Sequence, residues 1–205
     1  MPDRQIRDEA VTLLVAGHES TGATLAWGLY LLSLNPLVTG RVKRELAEVL
    51  DGRVPGFQDL PRLEYLARVF KETLRLYPPF WLLTRTPLID DELSGHRVPA
   101  GSILVFSSYV TQRRPDFWPN PEAFDPERFL PERSEGRPPF AYYPLGGGPR
   151  LCIGGRLAEM QALLVLAAVL QRFELHALPG RRVEPAAMLS LRPKGGLWMT
   201  LHGGM

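Results

Sequence analysis

Cys152 is the single cysteine of this chain, and it stands in the run Pro144-Leu-Gly-Gly-Gly-Pro-Arg-Leu-Cys-Ile-Gly-Gly, which ends at Gly155. Three glycines and a proline specify an open loop without bulky side chains, and a helical pattern follows at once. A sulfur held at a helix start meets backbone N–H donors and the positive end of the helix dipole, and both favour thiolate. Arg150 adds positive charge two residues earlier. The alternative is an inert cysteine buried in a glycine-rich turn, since cysteines are often buried. A phosphate cradle is excluded, because the loop lacks the Gly-Lys-Ser/Thr ending. A lone cysteine also excludes an internal disulfide framework and a multi-cysteine zinc site.

Two other groups of residues could do chemistry. Ala16-Gly-His-Glu-Ser-Thr21 places an acid, Glu19, and two hydroxyls, Ser20 and Thr21, beside Gly17. Glu19 is the only firmly charged residue between Val11 and Leu34, so it is costly there unless paired or functional. Small residues at helical spacing (Ala10, Gly17, Thr21, Thr24 and Gly28) would let something bulky approach the backbone; close helix–helix packing is the other reading. The helical wheel turns His18 away from Ala16, Gly17 and Ser20, so it is expected to be a packing or surface residue. Glu72 and Arg75 lie off the apolar stripe of Leu66, Phe70 and Leu74. Taken alone they read as a solvated i,i+3 pair, worth about 0.2–0.5 kcal/mol.

The elements that must position these residues are mostly helical. One long helix is expected over 6–34, closed by Asn35-Pro36, with Asn35 capping and Pro36 starting a second helix that stops at Asp51-Gly52. A third helix is expected over 61–77, ending at Pro78-Pro79. Short strands follow from Thr86 to Tyr109, with a turn at Pro99-Ala100-Gly101. Residues 111–149 are irregular and rich in proline and arginine, and a stretch of that length inside a domain is usually functional. A further helix is expected over 155–173, and the tail suggests a hairpin of Met188-Leu-Ser-Leu-Arg with Leu197-Trp-Met-Thr-Leu. The 24 basic and 22 acidic side chains are too balanced to imply a nucleic-acid surface. No signal-peptide pattern and no apolar run long enough for a transmembrane segment is present, so a cytoplasmic location is expected.

The loop resembles the cytochrome P-450 signature Phe-x-x-Gly-x-Arg-x-Cys-x-Gly, with Leu145, Gly148, Arg150, Cys152 and Gly154 in those places. Leu145 stands where the family usually has phenylalanine. Glu72-Thr-Leu-Arg75 matches the family's Glu-x-x-Arg, Pro126-Glu-Arg-Phe129 its arginine-bearing segment, and Ala16–Thr21 its oxygen-activation segment. Ser20 stands there in place of the usual threonine. The resemblance implies a mostly α, cytochrome P-450-like helical fold with small β-sheets, and it makes 1–205 the C-terminal, haem-ligating part of such a domain, incomplete because the N-terminal half is absent. It implies haem b (iron protoporphyrin IX) as cofactor, with Cys152 ligating the iron and pushing electron density towards O–O cleavage. Gly17 would leave room for oxygen, while Glu19, Ser20 and Thr21 would deliver protons. Arg85 and Arg150 would pair with haem propionates, and Glu72, Arg75 and Arg128 would form a structural network. The implied reaction inserts one atom of O2 into a small organic substrate, with electrons from a ferredoxin or a flavoprotein reductase. A haem-binding but catalytically incompetent fragment, or half of a split enzyme that docks to its missing N-terminal half, are the alternatives.

Overall fold

The computed structural model describes residues 1–181 and 183–203. Four helices carry the core: α1 (Asp3–Leu34), α2 (Pro36–Leu50), α3 (Glu64–Leu76), and a long helix after the cysteine loop, Gly155–Arg172. The junction of α1 and α2 differs from expectation. Asn35 makes no side-chain cap on α2; its Nδ2 donates back to Leu31 O at 2.7 Å and closes α1 instead. Asp51 and Gly52 end α2 with φ of 47° and 77°, the left-handed conformation a helix stop needs. Glu45 of α2 then caps its neighbour, accepting from Tyr65 N at 2.6 Å and Leu66 N at 2.9 Å at the start of α3.

Among the described residues the strands form four two-stranded antiparallel sheets. β1 (Leu83–Arg85) pairs with β4 (Leu104–Phe106), and β2 (Asp91–Leu93) pairs with β3 (His96–Val98) across Ser94-Gly95. The irregular stretch that follows holds two single-turn helices, α4 (Ser108–Thr111) and α5 (Pro131–Ser134), and 3₁₀ turns at Pro126–Phe129, Pro139–Ala141 and Gly148–Arg150. The long helix Gly155–Arg172 is therefore α6.

The expected tail hairpin does not form. β7 (Leu191–Pro193) pairs back onto β6 (Pro185–Ala187), and β8 (Met199–Gly203) crosses to β5 (Phe173–Ala177) directly after α6. Met188-Leu-Ser190 is a turn rather than a strand, and Gly195 and Gly196, with φ of 72° and 81°, redirect the chain between two sheets. Buried Leu191 donates from its N–H to Pro79 O at 2.8 Å, a partner far back in the chain. Such non-local pairing leaves no mark in local periodicity.

The core packs Leu32 of α1, Val42, Leu46 and Leu50 of α2, Leu66 and Phe70 of α3, and Leu163, Leu166 and Leu170 of α6. Trp27 is wholly buried and stacks on Tyr77 with ring centroids 3.7 Å apart and planes at 3°. At Gly28 the small-residue column is a packing device: a Cβ there would meet Thr73 at 3.7 Å and Leu166 at 3.8 Å. These are ordinary contacts. Gly28→Ala is therefore expected to raise stability by about 0.5–1 kcal/mol through reduced backbone entropy, read as a higher midpoint in chemical denaturation. Upstream the same helix is bare, for every residue from 1 to 18 is exposed. Among the described residues no helix is long and apolar enough to cross a membrane.

Candidate functional site

The cysteine loop is held by its own backbone. Gly146 N donates to Tyr143 O, Leu151 N to Gly148 O and Cys152 N to Leu145 O, each at 3.0 Å. Gly146 and Gly148 take φ of 78° and 66°, which L side chains adopt only under strain. Two further glycines sit close against the ends of neighbouring side chains. A Cβ on Gly147 would lie 2.6 Å from the Phe140 ring, and one on Gly155 would lie 2.9 Å from Leu145 Cδ1. Leu145, in the place where the resemblance expects an aromatic ring, thus packs tightly on the first residue of α6. The Cys152 side chain is exposed, not buried, and its sulfur lies 3.9 Å from the Cβ position of Gly154, the residue preceding α6. That exposure removes burial from the alternative reading of this cysteine. Behind the loop lies a cleft of about 360 Å³ between α3 and α6, lined by Phe70, Leu74, Leu145 and Cys152 among others.

The loop leans on β1: Leu83 Cδ1 lies 3.7 Å from the Cβ position of Gly146. Residues two apart on a strand share a face, so Arg85 stands on the loop side of this small sheet. Its side chain is exposed and donates only locally, from Nη1 to Thr84 O at 2.7 Å. Arg150 is likewise exposed, in the Gly148–Arg150 turn. Both guanidiniums are accessible to an anionic ligand.

On α1, Gly17 opens to empty space, with nothing within 4 Å of an added Cβ. Ser20 Oγ donates to Ala16 O at 2.7 Å, and Thr24 Oγ1 to Ser20 O at 2.9 Å. Thr21 is partly buried beside them. Glu19 accepts from Ser190 Oγ at 2.7 Å, and Arg192 Nη1 lies 3.9 Å from the same carboxylate oxygen. A cleft of about 590 Å³ opens beside the contact of α1 with the β6–β7 hairpin, and Glu19 and exposed His18 both line it. Among the described residues no hydrogen bond or ion pair joins this group to the cysteine loop.

Glu72 and Arg75 are fully buried, so the solvated-pair reading of their spacing is overturned. Arg75 Nε and Nη2 donate to Glu72 Oε2 and Oε1 at 2.7 and 2.9 Å. Asp125 N donates to Glu72 Oε1 at 2.9 Å, and Arg75 donates onward to Gln112 O and Ala123 O at 2.8 and 3.1 Å. Arg128 Nε lies 3.3 Å from Glu72 Oε1, an ion contact too poorly aligned to be a hydrogen bond. Its Nη1 and Nη2 are spent on Pro119 O and Asn120 O. Burial pushes the Glu72 carboxyl up, while Arg75, the Asp125 N–H and Arg128 pull it down. Burial also pushes Arg128 down, against the pull of Glu72. The wheel reading fails because a second layer, residues 112–129, covers the face of α3 opposite its apolar stripe.

That layer holds residues the sequence did not single out. Gln112 is fully buried; its Nε2 donates to Leu74 O and Arg75 O at 3.0 Å, and its Oε1 accepts from Tyr143 N at 2.9 Å. It ties the end of α3 to the approach to the cysteine loop. Trp118, also fully buried, donates to Ala141 O at 3.1 Å and carries the Arg137 guanidinium 4.0 Å above its ring. Only their place in the long irregular stretch could have hinted at either.

The sequence model described as Cytochrome P450 matches residues 1–199, nearly the whole chain. The chain belongs to the cytochrome P450 family. Relatives agree with this. Cyclooctatin synthase of Streptomyces melanosporofaciens is 44% identical over 191 residues, 93% of this chain and 42% of that protein. Cyclooctat-9-en-7-ol 5-monooxygenase of the same organism is 42% identical over 180 residues, 88% of this chain and 39% of the relative. Cytochrome P450 4V2 of Homo sapiens is 41% identical over 199 residues, 96% and 38% respectively. The chain thus spans about two-fifths of the length of these relatives. Its helices and small antiparallel sheets are those of part of a P450 fold. The family implies haem, and the donor set fits one. Among the described residues no group of three or more His, Cys, Asp or Glu could hold a metal ion, whereas an exposed thiol suits an iron whose other ligands come from a macrocycle.

Proposed function

We propose that this chain carries the iron-ligating part of a haem-thiolate monooxygenase, with Cys152 as the protein ligand of haem b. The observation that carries this reading is the exposed thiol on a rigid glycine-rich loop at the start of α6. When bound, the haem supplies the dioxygen-splitting chemistry that places one oxygen atom in an organic substrate and reduces the other to water. The chain's own residues hold and serve that group. Arg85 and Arg150 would pair with its propionates, since guanidinium groups suit carboxylates. Gly17 leaves the helix open on the substrate side. Glu19 bears and releases protons, with the hydroxyls of Ser20 and Thr21 next to it. Glu72, Arg75 and Arg128 keep the platform beneath the loop rigid. Electrons come from a ferredoxin or a flavoprotein reductase.

A second reading is that the chain binds haem but turns over no substrate until further polypeptide covers α1. The exposed Ile6, Val11, Leu13, Leu14 and Val15 favour it. One experiment separates the two. The haem-loaded chain is supplied with ferredoxin, its reductase, NADPH, ¹⁸O₂ and a panel of apolar organic substrates that includes cyclooctat-9-en-7-ol, the compound in the name of one relative. Products carrying one ¹⁸O atom are expected under the first reading. Stoichiometric haem binding without labelled product supports the second, and absence of haem binding contradicts both.

A further inference from the structure

Glu19 takes its direction from a hairpin distant in sequence and not from its own helix. Its partners, Ser190 and Arg192, both belong to the β6–β7 hairpin. Ser190 is completely buried, so its hydroxyl has no water to turn to if Glu19 swings away. Glu19 keeps 34% of its side chain exposed and borders the cleft on α1. The hairpin itself is fixed on two sides. Trp27 Nε1 donates to Leu191 O at 2.9 Å from α1, while Leu191 N donates to Pro79 O at 2.8 Å and Trp81 Nε1 to Met188 O at 3.2 Å. A glutamate on an open helix face samples several rotamers, and fixing one costs entropy. Ser20 cannot fix it from within α1, because its hydroxyl proton is engaged by Ala16 O.

We infer that Ser190 and Arg192 are positioning residues for Glu19, and that the β6–β7 hairpin sets where this acid takes up and releases its proton. The inference rests on the reading of Glu19 as the proton-bearing acid. Monooxygenation consumes O2, two electrons and two protons, and yields hydroxylated substrate and water. The same two electrons and two protons taken without oxygen insertion convert O2 to hydrogen peroxide. An acid pointing elsewhere shifts the partition between these outcomes without touching the electron supply.

Two measurements test this on Ser190→Ala, Ser190→Thr, Arg192→Met and Glu19→Gln. In the haem-free chain, hydrogen exchange at the Met188 and Leu191 amides is expected to quicken about tenfold in Ser190→Ala and to recover in Ser190→Thr. In the haem-loaded chain with ferredoxin, its reductase and NADPH, the hydrogen peroxide released per NADPH is expected to change severalfold in Ser190→Ala and Glu19→Gln, to change less in Arg192→Met, and to recover in Ser190→Thr. If Glu19→Gln changes the peroxide yield while Ser190→Ala leaves it and the hairpin exchange at the unmodified level, the positioning role is overturned and the acid reading stands. If Glu19→Gln changes nothing, the acid reading falls and the positioning role falls with it.

Discussion

Arg75→Leu is expected to destabilise the fold by about 3–5 kcal/mol, the cost of leaving one member of a buried ion pair without its partner. Glu72 would keep the Asp125 N–H and the poorly aligned Arg128, while losing both of its short guanidinium bonds. Gln112 O and Ala123 O would also lose a donor inside the protein. Chemical denaturation reads the loss directly. The loss also depends on pH, with a sign that follows from burial. Burial alone raises the Glu72 carboxyl, and removing Arg75 removes the largest opposing pull. The folded variant then binds more protons than its unfolded chain between the ordinary carboxylate range and the raised value, so its stability falls as pH rises through that window. Glu72→Leu with Arg75→Met should cost less than the sum of the single changes, because no charge is left unpaired. Additive losses in that cycle would show that the two side chains do not act as a pair.

Cys152→Ser is expected to do the opposite: to leave the fold intact and remove the proposed haem-thiolate chemistry. The thiol is exposed, and it lies 3.9 Å from the Cβ position of Gly154. The loop hydrogen bonds run through the backbone, including Cys152 N to Leu145 O. A change of one exposed atom should therefore shift stability by no more than about 0.5 kcal/mol. Oxygen insertion by the haem-loaded variant should fall to the level of free haem, since a serine hydroxyl supplies no thiolate push. Denaturation midpoint and labelled-oxygen yield, measured on the same preparation, separate the two effects.

The legibility of the chain followed the range of its interactions. The cysteine loop was readable because its chemistry is local: glycines, an arginine and a thiol within twelve residues, directly before a helix. The ends of α2 were readable for the same reason, through Pro36 and Asp51-Gly52. Burial of Glu72 and Arg75 was hidden, because periodicity reports the first face a helix packs and residues 112–129 cover the second. The resemblance to a family supplied what the wheel denied. Ser190 was invisible as a partner of Glu19, since 171 positions separate them. The tail misled for a related cause: Gly195 and Gly196 look like a hairpin turn, yet the strands flanking them pair with β6 and β5. The column of small residues on α1 had two readings, and the structure divides it, with Gly28 packed against α3 and α6 and Gly17 open.

The central claim is that Cys152 ligates haem iron as a thiolate. The most direct measurement is the absorbance difference spectrum of the haem-loaded chain, reduced and exposed to carbon monoxide, beside Cys152→Ser prepared in the same way. The unmodified chain is expected to show the strongly red-shifted band of thiolate ligation, and the variant to lose it while still folding. A red-shifted band that persists in Cys152→Ser, or one that is absent from the haem-loaded unmodified chain, would contradict the assignment.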